Sequence, residues 1–179
     1  MAHIEKILQK ALNDNSSDVF VTVGKHPAYR ITGRVVPDTT DTVFTQEDMN
    51  EFLQVSLTAE QLQEFKEKQT VDASLNCGNG VRFRLNFFVT TNGQAVSMRP
   101  LKNGDELTIE ALNLPPVVQT LGDSNNGIIL IVGATGHGKS STMGTIINYI
   151  NKTYAKHIIS VEDPVEYTYS DKKSLMYQR

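Results

Sequence analysis

The residues best able to do chemistry are Gly133-Ala134-Thr135-Gly136-His137-Gly138-Lys139-Ser140, in the spacing G-x-x-x-x-G-K-S. Glycines at these intervals let the backbone turn its N–H groups inward around a polyphosphate, and a lysine adds a point charge toward the β and γ phosphates. The Ser140 hydroxyl is a hard oxygen donor of the kind an octahedral Mg²⁺ accepts. The spacing therefore points to a nucleoside triphosphate with Mg²⁺. His137 is expected to expose its side chain and to donate only its backbone N–H.

The motif is expected in the order strand, loop, helix. Ile128-Ile129-Leu130-Ile131-Val132 is a continuous apolar run, which predicts a strand buried on both faces of a parallel sheet. Residues 139–150 place Met143, Ile146, Ile147 and Ile150 at core spacing, which predicts a helix whose positive N-terminus faces the phosphates. His157 to Val161 reads as a second strand, parallel to the first by the right-handed crossover rule. It delivers Glu162 and Asp163 to the carboxyl end of the sheet, where ligands collect. The two carboxylates could order Mg²⁺ through water or position an attacking water. Equally, they could be a solvated strand end, with Asp163 starting a turn before Pro164.

Preceding segments read as a separate layer. Ile4, Ile7, Leu8, Ala11 and Leu12 have amphipathic helix spacing, and strands are expected at 19–23, 28–32 and 35–36. Thr45 with Asp48, and Thr58 with Gln61, are capping-box pairs ahead of two short helices. Turn signals at Gly78-Asn79-Gly80 and Asn92-Gly93 separate three antiparallel strands. In the middle one Val81, Phe83, Leu85, Phe87 and Val89 alternate, so Arg82, Arg84 and Asn86 share the other face. Arg82, Arg84 and Arg99 are candidates to meet charge on a transferred phosphate, or are solvated strand residues. Pro100 to Gly104 marks a domain boundary, and Pro116 and Gly122 bracket a short helix.

Composition narrows the partners. A formal charge of −3 and a pI near 5.8 give no electrostatic footprint for nucleic acid, so none is expected as a direct partner. Cys77 is the only cysteine, and with four scattered histidines it makes no zinc spacing. With no signal peptide or long apolar stretch, a soluble cytoplasmic chain is expected. A GTPase is disfavoured, because no D-x-x-G follows the loop and Asn151-Lys152-Thr153-Tyr154 lacks the guanine-reading Asp.

Four stretches together resemble the secretion ATPases of the type IV pilus retraction group, PilT and PilU, with relatives in type II and type IV secretion. Ser17-Asp18-Val19-Phe20-Val21, with Gly24, Pro27 and Arg30-Ile31-Thr32-Gly33, is similar to the family's opening signature. Val81-Arg82-Phe83-Arg84-Leu85-Asn86 is similar to its R-x-R strand. Val132 to Ser141 resembles its Walker A segment and Ile158 to Tyr167 its Asp box, and these two are the specific matches. His137 and Phe20 depart from the usual residues without breaking the mechanism.

The resemblance implies an α/β chain with a PAS-like α+β domain over residues 1–100 and a linker over 101–112. An incomplete RecA-like P-loop NTPase domain follows over 113–179, with the Walker B segment and His box expected beyond Arg179. It implies a Mg²⁺-dependent ATPase motor that assembles as a homo-hexamer. The ring would sit at the cytoplasmic base of a pilus or secretion platform, peripheral to the inner membrane through its partners. ATP would bind between the two domains. By matching position, Gly133, Ala134, Thr135, Gly136, His137, Gly138, Lys139, Ser140 and Ser141 would hold the nucleotide, with Ser140 on Mg²⁺. Glu162 and Asp163 would be catalytic carboxylates, and Arg84 and Arg99 phosphate-sensing arginines. The 179-residue chain itself is expected to hydrolyse ATP poorly. The rival expectation is a non-catalytic subunit that only docks or oligomerises.

Overall fold

A computed structural model describes residues 2–77 and 80–179. The chain forms two compact units, Met1–Pro100 and Leu101–Arg179.

In the first unit, helix α1 (Ala2–Asn13) is followed by strands β1 (Asp18–Thr22), β2 (Ala28–Ile31) and β3 (Arg34–Pro37). Thr32 and Gly33, at φ +47° and +83°, make the two-residue turn between β2 and β3 that matches the twist of a hairpin. Helices α2 (Gln46–Ser56) and α3 (Ala59–Lys68) begin at Thr45 and Thr58, and both expected capping boxes form. Each box satisfies orphan donors of the first turn, and each cap stabilises its helix by about 1 kcal/mol. Strands β4 (Thr70–Asn76), β5 (Arg82–Thr90) and β6 (Gly93–Pro100) form the expected antiparallel piece. The turn expected at Gly78-Asn79-Gly80 falls partly outside the described residues.

The two strand groups join in one six-stranded sheet, ordered β3-β2-β1-β6-β5-β4. Val19 pairs with Met98 and Val21 with Val96, so the apolar positions of β1 and β6 share a face. Phe83, Leu85 and Phe87 lie on that face and are fully buried against Ile7, Met49 and Phe52 of the helices. Val89, the last member of the alternating set, is exposed instead. Burying each large apolar side chain here stabilises the unit by about 1.5–3 kcal/mol.

The second unit is built differently. It contains β7 (Lys102–Asn103), a 3-10 turn (Gly104–Glu106), α4 (Val117–Gly122), α5 (Lys139–Thr153), β8 (His157–Ser160), β9 (Tyr167–Thr168) and β10 (Leu175–Gln178). Two parallel pairs form, β8 with β10 and β7 with β9. The expected strand over residues 128–132 does not form, and Ile128, Leu130 and Val132 are 88%, 80% and 85% exposed. The predicted parallel partnership of that run with β8 is replaced by β10, and an apolar run becomes a strand only where another strand takes up its backbone donors and acceptors.

Helix α5 forms as expected and Ile146 is buried as predicted, but the rest of its buried face is polar or small rather than apolar. Thr145, Ile146, Asn148 and Asn151 are buried, while Met143 is 44% exposed. The reason is what the helix packs against. Asn148 Nδ2 donates to the carbonyls of Asp105 (3.0 Å) and Leu107 (2.6 Å), and Asn151 Nδ2 donates to Ser170 O (2.8 Å). Buried main-chain carbonyls need donors that isoleucine cannot supply. Residues 102–107, inside the expected linker, thus pack into the second unit. Gly144 lies on the same face, where an added Cβ would sit 2.6 Å from Tyr169 Oη and 2.5 Å from Leu107 Cδ1.

Candidate nucleotide-binding site

The Gly133–Ser140 loop leads directly into α5. Gly136 and Gly138, at φ +80° and +78°, hold the left-handed backbone that lets the chain swing into the helix, and Gly138 is the N-cap. No side chain caps α5, so its first N–H groups, which have no intrahelical acceptor, are open to an anion. The loop holds itself together. His137 donates its N–H to Ala134 O (3.3 Å) and its ring Nδ1–H to Thr135 O (3.1 Å), so its side chain does more than the expected exposure. Lys139 Nζ donates to Ala134 O at 2.9 Å, lying across the loop.

Behind the loop is a cleft of 420 Å³ within the second unit, lined by Ser140, Gly144, Glu162, Asp163 and Tyr167 among others. Ser140 and the two predicted carboxylates are therefore brought together. The connection does not run through a strand at 128–132, as the sequence implied. Instead Ser141 Oγ and Tyr167 Oη share a hydrogen bond of 2.8 Å, and Tyr169 packs on Gly144. Burial, reinforced by the charge of Glu162, raises the Tyr169 pKa and keeps the phenol protonated. Glu162 is half-buried, with Oε1 accepting from Gln178 Nε2 (3.2 Å) and Oε2 from the Glu166 N–H (3.4 Å). Asp163 is exposed.

The donor set suits Mg²⁺. It offers hydroxyl and carboxylate oxygens, and among the described residues no cluster of three or more His, Cys, Asp or Glu could cage a metal alone. Mg²⁺ keeps several waters and is held by one or two protein oxygens plus phosphate, so a partial set of hard donors fits it.

Arg84 and Arg99 belong to the first unit. They are register partners on β5 and β6, and like charges directly opposed across a sheet are destabilising. Acidic neighbours offset this. Arg99 donates from Nε (2.8 Å) and Nη2 (2.6 Å) to Asp18 Oδ1, Arg30 Nε lies 3.0 Å from Asp18 Oδ2, and Arg84 Nη2 lies 3.7 Å from Asp72 Oδ1. Arg84, Arg99, Asp18 and Asp72, with Asn86 and Ser97, line a cleft of 290 Å³. Arg82 stands apart, donating to Ser74 Oγ at 2.7 Å.

A family model described as type II/IV secretion system protein matches residues 1–176. The chain belongs to that secretion family. It is 32% identical over 175 residues to the type IV pilus ATPase PilU of Pseudomonas aeruginosa, covering 98% of this chain and 45% of PilU. It is 40% identical over 115 residues to a twitching motility protein of Neisseria gonorrhoeae, covering 64% of this chain and 30% of that protein. Among solved structures, the crystal structure of the pilus retraction motor PilT with bound ADP superposes with a TM-score of 0.83 at 34% identity. That match covers 98% of this chain and 51% of PilT. The mixed α/β fold is thus shared with PilT, and the chain spans about half the length of PilU and PilT.

For this member of the secretion family, three residues in or beside the two clefts were not marked by sequence reasoning as site residues. Tyr167 reaches Ser141, Asp18 holds Arg99 and Arg30, and Gln178 reaches Glu162. The alternation of Val165, Tyr167 and Tyr169 was a usable signal for the first. Nothing local distinguishes Gln178, whose position depends on β10 pairing with β8.

Proposed function

We propose that this chain carries the nucleotide-binding part of a Mg²⁺-dependent ATPase that drives type IV pilus retraction or a related secretion machine. The observation that supports it is the uncapped N-terminus of α5 together with a cleft whose lining includes Ser140, Glu162 and Asp163. In this reading the backbone N–H groups of Gly133 to Ser141 and the Lys139 ammonium bind the phosphates, and the Ser140 hydroxyl takes a place on Mg²⁺. Mg²⁺, when bound, offsets charge on the β and γ phosphate oxygens. Glu162 and Asp163 orient the water that attacks the γ phosphate. Arg84 and Arg99, which in the first unit lie against Asp72 and Asp18, are proposed as phosphate-sensing arginines of the whole protein.

The first unit would then be PAS-like and the second the start of a RecA-like domain. The whole protein would work as a homo-hexamer on the cytoplasmic side, held at the inner membrane by pilus or secretion platform proteins. No helix among the described residues is long and apolar enough to cross a membrane, so attachment through such partners is the form proposed. Nucleic acid is not required as a direct partner.

ATP hydrolysis by the whole protein tests this reading. Lys139→Ala is expected to lower kcat/KM at least about a hundredfold, the scale of losing a charge-stabilising donor. Unchanged turnover would overturn the assignment.

A further inference from the structure

We infer that Gln178 is a positioning residue for Glu162, and this rests on the reading of Glu162 as the water-orienting carboxylate. Gln178 ends β10, beside Ser160 at the end of β8. Its side-chain amide makes three hydrogen bonds at once: Nε2 donates to Glu162 Oε1 (3.2 Å) and to Tyr167 O (2.7 Å), and Oε1 accepts from the Tyr169 N–H (3.1 Å). One side chain therefore ties the carboxylate to the two tyrosines that pack against α5.

The surroundings give this contact its weight. Val161 is 80% exposed, and Asp163 and Pro164 are exposed as well, so apolar packing does little to fix the direction in which Glu162 points. Orientation must come from hydrogen bonds. The Glu166 N–H holds the other carboxylate oxygen only at 3.4 Å, which leaves Gln178 as the shorter of the two contacts. The chemical type matters too. An amide donor orients a carboxylate without neutralising it, whereas lysine or arginine would add a full charge and weaken it as a base. The main-chain bonds from Glu162 N to Arg179 O (2.9 Å) and from Arg179 N to Ser160 O (3.2 Å) fix the backbone on both sides of the pair.

The test uses steady-state hydrolysis by the whole protein, comparing Gln178→Leu, Gln178→Glu and Glu162→Gln singly and Gln178→Leu combined with Glu162→Gln. Gln178→Leu is expected to lower kcat about tenfold or more, the scale of losing an outer partner of a site residue, with KM for ATP unchanged. Gln178→Glu keeps an acceptor for the Tyr169 N–H but faces Glu162 with a like charge, so it should lose at least as much. Added to Glu162→Gln, Gln178→Leu should cost nothing further, because the group it positions is gone. If Gln178→Glu retains full kcat, or if the two losses multiply, Gln178 acts through Tyr169 or the fold and the inference fails. If Glu162→Gln itself retains full activity, the reading of Glu162 fails, a result distinguishable from the first. Unchanged ADP affinity in Gln178→Leu would show that the nucleotide-binding fold is intact, and a matching loss of ADP affinity would count against a positioning role.

Discussion

The two units reach order by opposite means. In the first, six strands pair into one sheet and a contiguous cluster from Ile4 to Met98 fills the space beneath it. In the second, Ile146 and Tyr167 are the buried hydrophobics, whereas Thr145, Asn148, Asn151 and Ser174 are the buried polar groups. Its apolar residues, from Ile128 to Val132 and at Ile159, Val161, Leu175 and Tyr177, are largely outside. The contrast teaches that an apolar pattern specifies burial only when its partners are present. In the second unit, hydrogen bonds to main-chain carbonyls do much of the holding.

The largest effect expected from this contrast is in the first unit. Phe87 is fully buried and meets Phe52 and Phe65 edge-on, at ring distances of 5.2 and 6.4 Å. Phe87→Ala should destabilise the unit by about 3–5 kcal/mol in denaturant unfolding. Leu130→Ser, an equally drastic change on paper, should fall within about 0.5 kcal/mol because Leu130 is 80% exposed. Equal losses would erase the distinction between the units.

A middle-sized effect is expected at Asn148, whose two donations hold the carbonyls of Asp105 and Leu107. Asn148→Ala leaves both without that donor and should cost the second unit about 1–3 kcal/mol. Hydrogen exchange of amides along α5 would report it, and unchanged protection would mean that the polar network is ornamental.

The smallest effect concerns acid. Burial opposes the charge on Asp105, but the Ser170 hydroxyl and N–H and the Lys172 ammonium outweigh it and lower its pKa below the ordinary carboxylate range. A carboxyl depressed on folding stabilises fully above its unfolded value, about 3.9, and loses that contribution as pH falls through the folded value. The chemical shifts of Ser170 and Asn148 should therefore hold down to pH about 4 and change below it. In Asp105→Asn this acid step should vanish.

Much of the first unit was legible in the sequence. Strict alternation in β5 and two capping boxes are local signals, and each names its own partner or face. What could not be read was the joining of β1 to β6, a contact between positions nearly eighty residues apart. The glycine-lysine-serine spacing of the candidate loop was legible because it lies within eight consecutive residues. Of its surroundings, α5 and β8 were legible and the rest were not. The strand expected at 128–132 assumed sheet neighbours that the fold does not provide, and the Asn148 and Asn151 face was hidden beneath an apolar helical pattern. Gln178 became visible only through the pairing of β10 with β8.

The most direct measurement is a titration of the 179-residue chain with Mg²⁺ and ATP, followed by amide resonances. Saturable shifts are expected at Gly136, Gly138, Lys139, Ser140 and Ser141, extending to Glu162, and they should be lost in Lys139→Ala. Resonances of the loop and of α5's first turn that stay fixed at saturating nucleotide, in the chain with Lys139 intact, would contradict the proposed phosphate site.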